Sequence, residues 1–198
     1  MNDKQQEKFI QMTTAPVSRL ICKLAVPTII SMMVTAAYNM VDTFFVGQLH
    51  SDSATGAVGV AFSLMAIFQA TGFFFGHGSG NVIAMELGRK DTDSASKMAA
   101  TGVVYALLAG TVILALGQIF LAPLARILGS PETILPYAKD YLRFILFGAP
   151  FIIASFVLNN QLRFQGSAMH GMIGIVSGAI LNVGLDPLFI FTLKMGVG

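Results

Sequence analysis

The chain has 198 residues, a formal net charge of +2, and 11% Asp, Glu, Lys or Arg against 55% hydrophobic residues. A soluble domain carries about 25% charged residues, so a water-soluble fold is excluded, and so small a charge with no basic run gives no ground to expect a nucleic-acid partner. One cysteine, Cys22, permits no internal disulfide and no cysteine-based metal site, and the absence of Walker, nucleophile-elbow, His-Glu and zinc-finger patterns argues against a hydrolase or a nucleotide-driven pump.

Residues 1–23 are mostly polar and lack the short apolar core of a secretory signal, so they read as a cytoplasmic N-terminal segment. Beyond them the charges leave five gaps, 24–41, 53–85, 98–125, 144–162 and 164–185, together 120 residues. Each is close to the roughly 20 apolar residues that cross a bilayer. They predict helical spans over about 24–47, 56–86, 98–122, 141–162 and 169–193. Barrel strands would alternate in segments of about ten residues, and these runs are continuous. The expected fold is all-α: a polytopic transmembrane bundle of five spans over 24–198.

The connections carry turn chemistry: Gly47 to Thr55, Gly88-Arg89-Lys90-Asp91, Gly129-Ser130-Pro131 and Gln165-Gly166-Ser167. Links this short set consecutive helices side by side and antiparallel. In the longest loop, from Ala122 to Asp140, Ser130-Pro131-Glu132 followed by Ile134 and Leu135 is expected to start a short interfacial helix. Lys and Arg fall eight to one side of the spans and four to the other, which sets the N-terminus in the cytoplasm and the chain in the inner (plasma) membrane. Five spans ending in Lys194-Met195-Gly196-Val197-Gly198 are expected to be the front part of a longer chain.

Inside a bilayer the informative residues are polar, because an ionised Asp at mid-span costs about 2.5–3.5 kcal/mol. Asp42 and Asp186 stand about 27 and 26 Å along the first and fifth spans, at similar depth in the outer part of the membrane. Each ends a stripe. Ser31, Thr35, Tyr38 and Asp42 share one face of the first span, with Asn39 beside them, and Gly171, Gly174, Gly178, Asn182 and Asp186 share one face of the fifth. If the stripes face each other, glycines permit close approach and a polar pocket forms. Pro187 pushes aside the carbonyl of Val183, freeing it to accept. Two acids, the Asn182 amide, the Tyr38 hydroxyl and that carbonyl are a donor set for H⁺ or Na⁺. Ser31, Thr35, Asn39, Asn159 and Gly178 are candidates for a substrate cavity, and no other metal site and no cofactor is expected. Tyr38 equally reads as an interfacial anchor, Asp42 as the outer end of a span that starts late, Asp186 as structural, and the glycine stripe alone as packing. Arg163, clustered with Asn159, Asn160 and Gln161, reads as a snorkelling residue or a substrate contact. Gly76-His77-Gly78-Ser79-Gly80-Asn81 has no lysine and no preceding strand, so it reads as close helix packing or a local irregularity rather than a phosphate loop, with His77 a second titrating candidate.

Five segments in order, Lys23-Leu24-Ala25-Val26-Pro27, Tyr38 through Gly47, Gly88-Arg89-Lys90-Asp91, Leu162-Arg163-Phe164-Gln165-Gly166 and Asn182-Val183-Gly184-Leu185-Asp186-Pro187-Leu188-Phe189, resemble the multidrug and toxic compound extrusion (MATE) family over about residues 15–193. The resemblance implies a twelve-helix exporter of two six-helix lobes that exchanges H⁺ or Na⁺ for organic, often cationic, compounds. It also implies that Asp42 and Asp186 bind the coupling ion, with Tyr38 and Asn182 nearby. The sixth helix and second lobe lie outside this chain, so a C-terminal lobe or complementary half is the expected partner, besides the lipid bilayer and the small-molecule substrate. A flippase for lipid-linked sugars and an intramembrane aspartyl enzyme are the alternatives. The first would favour basic residues in its cavity, and the second would need further catalytic groups.

Overall fold

The computed structural model describes residues 16–47 and 52–187, together with Ile10 and Thr14. Among the described residues there are six helices and no strand: α1 (Val17–Gly47), α2 (Asp52–Gly88), α3 (Thr92–Ile119), α4 (Leu121–Ile127), α5 (Leu135–Phe164) and α6 (Ala168–Pro187). All but α4 are long and apolar enough to cross a membrane. With no water in hydrocarbon to satisfy the backbone, a continuous apolar run closes its hydrogen bonds within itself as a helix. The helices outrun the predicted spans because charged residues join them where they leave the apolar layer. Arg19 and Lys23 lie in α1, Asp93 and Lys97 in α3, and Lys139 and Asp140 in α5, all ahead of the predicted starts.

Three helices end in one way. At α4, Gly129 takes a φ of +100°, its N–H donates to the Arg126 carbonyl at 3.0 Å, and Ser130 donates to the Ala125 carbonyl at 2.9 Å. Gly166 closes α5 in the same manner, and Lys90 closes α2 with a φ of +64°. These left-handed caps satisfy carbonyls that have run out of helical partners. The short helix is not where the sequence placed it. It precedes Gly129, while Pro131 through Ile134 form a turn that passes directly into α5, since the α4 cap already reverses the chain.

The core lies between α2, α3 and α5, around Leu64, Phe68, Ala106, Leu142, Leu146, Ile153 and Val157. Gly72, Gly76 and Gly80 recur every fourth residue along α2 and meet Phe156, Asn160 and Phe164, which recur every fourth residue along α5. A Cβ at Gly76 would stand 2.9 Å from the Asn160 Cβ and 3.3 Å from the Val157 Cα. The glycine-rich segment is therefore a packing seam, as its sequence suggested. On the outside, Met33, Phe74, Val112, Leu116, Phe147, Phe151 and Ile180 are exposed. A soluble bundle would hide these side chains, whereas hydrocarbon solvates them. The chain is a multi-pass membrane protein.

α1 packs chiefly against α6, and only lightly against α2. The first and fifth spans are thus neighbours, standing as a pair beside the α2–α3–α5 core.

Candidate functional site

A cavity of about 220 Å³ opens between this pair and the core. α1 supplies Ser31, Thr35 and Tyr38, α2 supplies Gln69 and Phe73, α5 supplies Asn159, Asn160 and Arg163, and α6 contributes Ile175. The α1 residues arrive together because spacings of four and three keep them on one helical face. Ser31 Oγ donates to the Pro27 carbonyl at 2.8 Å, and Thr35 Oγ1 donates to the Ser31 carbonyl at 2.9 Å. Each hydroxyl proton is engaged within α1, so what the serine and threonine offer a guest is acceptor lone pairs.

The opposite wall is made of amides. Asn160 is buried, and its Nδ2 donates to the Phe156 carbonyl at 2.8 Å. Asn159 Nδ2 reaches across to the Gly171 carbonyl of α6 at 3.2 Å, which ties α5 to α6 at the edge of the cavity. Behind this wall Gln161, 2% exposed, donates from Nε2 to Ser79 Oγ at 3.0 Å and to the Ala99 carbonyl at 3.1 Å. That bridge between α2, α3 and α5 fixes the turn of α5 that carries Asn159, Asn160 and Arg163. Hydroxyl and amide groups beside Phe73 can orient a guest by hydrogen bonds while an apolar wall packs on it. Among the described residues no cluster of three His, Cys, Asp or Glu side chains is placed to hold a metal ion.

The structure unites some predicted site residues and separates others. Ser31, Thr35, Tyr38 and Asn159 line one cavity. Asn39 lies instead at a separate open depression with Met40, Phe44 and Phe62. On α6 the packed face runs through Ala168, Gly171 and Ala179, with Ile175 between them, while Gly174, Gly178 and Asn182 are exposed. A Cβ at Gly171 would meet Asn159 Nδ2 at 3.1 Å, but at Gly174 or Gly178 it would find nothing within 4 Å. The expected face-to-face meeting of the two stripes is therefore corrected: spacing fixes which residues share a face, not the direction in which that face turns. The pocket is also not confined to the outer end of the bundle, since it reaches from Tyr38 to Arg163 in the last turn of α5. Asp42 and Asp186 belong to α1 and α6 by backbone, and their side chains lie outside the described residues. The residues Leu188–Gly198 lie outside them as well. His77, on the seam helix α2, has its Nδ1 2.9 Å from the Phe73 carbonyl and stands edge-on to the rings of Phe73 and Phe164, so it sits behind the cavity-lining Phe73 and is not itself part of the lining. Gln69 escaped sequence analysis, although a lone glutamine inside a 33-residue uncharged run is a usable signal.

The MatE family model matches residues 27–188. Among curated proteins, the Multidrug export protein MepA of Staphylococcus aureus (strain MRSA252) is 26% identical over 193 residues, covering 98% of this chain and 43% of the relative. Among solved structures, a MATE crystallised in complex with MaD3S superposes with a TM-score of 0.86 at 31% identity, over 95% of this chain and 42% of that one. An outward-facing conformation of a multidrug resistance MATE family transporter of the MOP superfamily gives 0.85 at 32% identity, again over 95% and 42%. The chain thus spans less than half the length of the relatives it matches.

Proposed function

Because this chain belongs to the MatE family, whose model it matches over residues 27–188, we propose that it forms one lobe of an ion-coupled exporter of organic, often cationic, compounds. The family is one of transporters, not enzymes, and the similarity to a multidrug export protein supports efflux as the direction of transport. The observation that carries the reading is the cavity at the junction of the α1–α6 pair with the core. It is hydrogen-bonding, aromatic-walled and open to a guest, and the two helices that carry Asp42 and Asp186 stand side by side next to it.

In this proposal Asp42 and Asp186, helped by Tyr38 and Asn182, bind H⁺ or Na⁺ and so neutralise charge that otherwise holds a cationic substrate. The ion drives transport only if it binds the outward and inward states unequally. The state change is a rocking of this lobe against a second one about a shared cavity, so a C-terminal lobe or complementary half is the partner. The inner membrane is the location, with the N-terminus in the cytoplasm, as the Lys and Arg distribution supports.

The test is ethidium efflux from proteoliposomes that hold this chain with a complementary lobe, under an imposed pH gradient and, separately, a sodium gradient. Asp42→Asn and Asp186→Asn are each expected to lower gradient-driven efflux at least tenfold and to weaken ethidium binding, since each removes charge that holds the cation. Coupling that survives in both variants refutes the assignment, and the gradient that drives efflux identifies the ion.

A further inference from the structure

The described cavity has a cation at one end. Arg163 lines it from the last turn of α5, half-buried beside Phe73, Phe156, Asn159 and Asn160. Among the described residues the two ion pairs are Arg89 with Glu86 and Arg126 with Glu132, each at 3.0 Å, and neither includes Arg163. Glu86, at the same end of the bundle, is thus engaged elsewhere. Asp140, the acid on α5 itself, sits 23 residues back along the helix, about 35 Å away. The C-terminal position in α5 favours a positive charge through the helix dipole, but the last carbonyls, those of Gln161, Leu162 and Arg163, already accept from the amides of Gln165, Ser167 and Gly166, and a guanidinium has five N–H groups to place. A snorkelling arginine would extend into water, whereas this one contributes to a cavity wall together with two amides and two phenyl rings.

We infer that the Arg163 end of this cavity is a subsite for a single carboxylate attached to an aromatic ring. The inference rests on the efflux reading and adds a substrate feature to it: an acidic group next to the aromatic body of the exported compound. One guanidinium pairs with one carboxylate in a two-pronged geometry, and the remaining Asn159 and Asn160 valences are neutral, so a monoanion fits where a pyrophosphate would leave charge unmatched. The volume agrees: about 220 Å³ is below the roughly 300–1,000 Å³ of pockets that enclose drug-sized ligands, and holds a ring system with its acid.

The probes are 2-naphthoate and its neutral amide, 2-naphthamide, titrated by fluorescence against the full chain in nanodiscs of zwitterionic lipid. Wild type is expected to bind the acid roughly tenfold to hundredfold more tightly than the amide. Arg163→Gln is expected to erase that preference and leave naphthamide affinity within about twofold, which also shows that the cavity is intact; Arg163→Lys keeps part of the preference. Equal binding of the two probes by wild type overturns the proposal, as does a parallel loss of both in Arg163→Gln, because either makes Arg163 a packing residue. Native mass spectrometry provides the last arm: a phosphatidylglycerol retained by wild type and lost in Arg163→Gln assigns the anion to a lipid headgroup and overturns the small-molecule site. Failure of the efflux reading is separate, since it shows as unchanged coupling in Asp42→Asn and Asp186→Asn whatever naphthoate does.

Discussion

Gly76 and Gly178 are the same residue in opposite surroundings, and the difference is measurable. At Gly76 a methyl group meets the Asn160 Cβ and the Val157 Cα at 2.9 and 3.3 Å, so backbone must move to admit it. Gly76→Ala is expected to destabilise the bundle by about 1–3 kcal/mol, the usual cost of overpacking. Gly178 has nothing within 4 Å of an added Cβ, so Gly178→Ala is expected to be neutral or to stabilise by up to about 1 kcal/mol through helix propensity. Thermal unfolding in detergent compares the two, and equal effects would show that the seam is not close-packed. Asp91 offers a test of another kind. It caps α3 by accepting from the Ser94 amide at 3.0 Å and from Ser94 Oγ at 2.7 Å, and chiefly the amide bond, then the hydroxyl bond, hold its carboxyl below the usual value of 3.8. A folded-state value below the unfolded one contributes stability above the unfolded value, and that contribution is lost as pH falls through the folded one. Asp91→Ala is therefore expected to lower the melting temperature at pH 7, with the gap to wild type closing once the pH drops below the carboxyl's lowered value. A gap unchanged by acid would remove the cap from the account.

Between residue and bundle, the helices differ in what joins them, and Gln161 shows how. Its side chain bridges α5 to both Ser79 of α2 and Ala99 of α3 from a site 2% exposed. Interhelical hydrogen bonds in membrane bundles average about 0.6 and reach about 1.7 kcal/mol each, so Gln161→Leu is expected to cost about 1–3 kcal/mol and to loosen all three helices together. A melting curve matching wild type would make the bridge incidental. Elements of this kind were partly readable in advance. Charge-free length gave five helices because a bilayer excludes charge from its apolar layer, and Gly88 through Asp91 and Gln165 through Ser167 announced turns because a left-handed cap favours glycine or ends at a helix-capping residue. Helix ends were less readable: Asp140 and Lys139 sit comfortably inside α5 once it passes into the polar zone. The facing of α6 was not readable at all. Gly174, Gly178 and Asn182 recur at helical spacing, yet the packed face is set by Gly171 against Asn159 and by Ala179, small groups whose contacts exist only after the helices meet.

Over the whole molecule the burial is uneven, and the cavity lies where it is thinnest. α5 alone buries nine residues, from Ala138 to Gln161, against α2, α3 and α4. The described buried residues of α1 are Pro27 and Ser31, and those of α6 are Ala168, Gly171 and Ala179. Opening free energy follows local apolar contact, so the α1–α6 pair is expected to open before the core does. The rocking proposed above needs such a division, because a cavity gated by well-packed helices on every side would not reorganise. Hydrogen exchange on the chain in detergent micelles is expected to show faster exchange through α1 and α6 than through α2, α3 and α5. The bond from Asn159 Nδ2 to the Gly171 carbonyl is the tether to cut: Asn159→Leu is expected to speed exchange selectively in α6 while leaving α2 and α3 unchanged. Uniform protection across the five long helices, or a uniform response to that substitution, would mean that the molecule opens as one body and that the cavity is not its hinge.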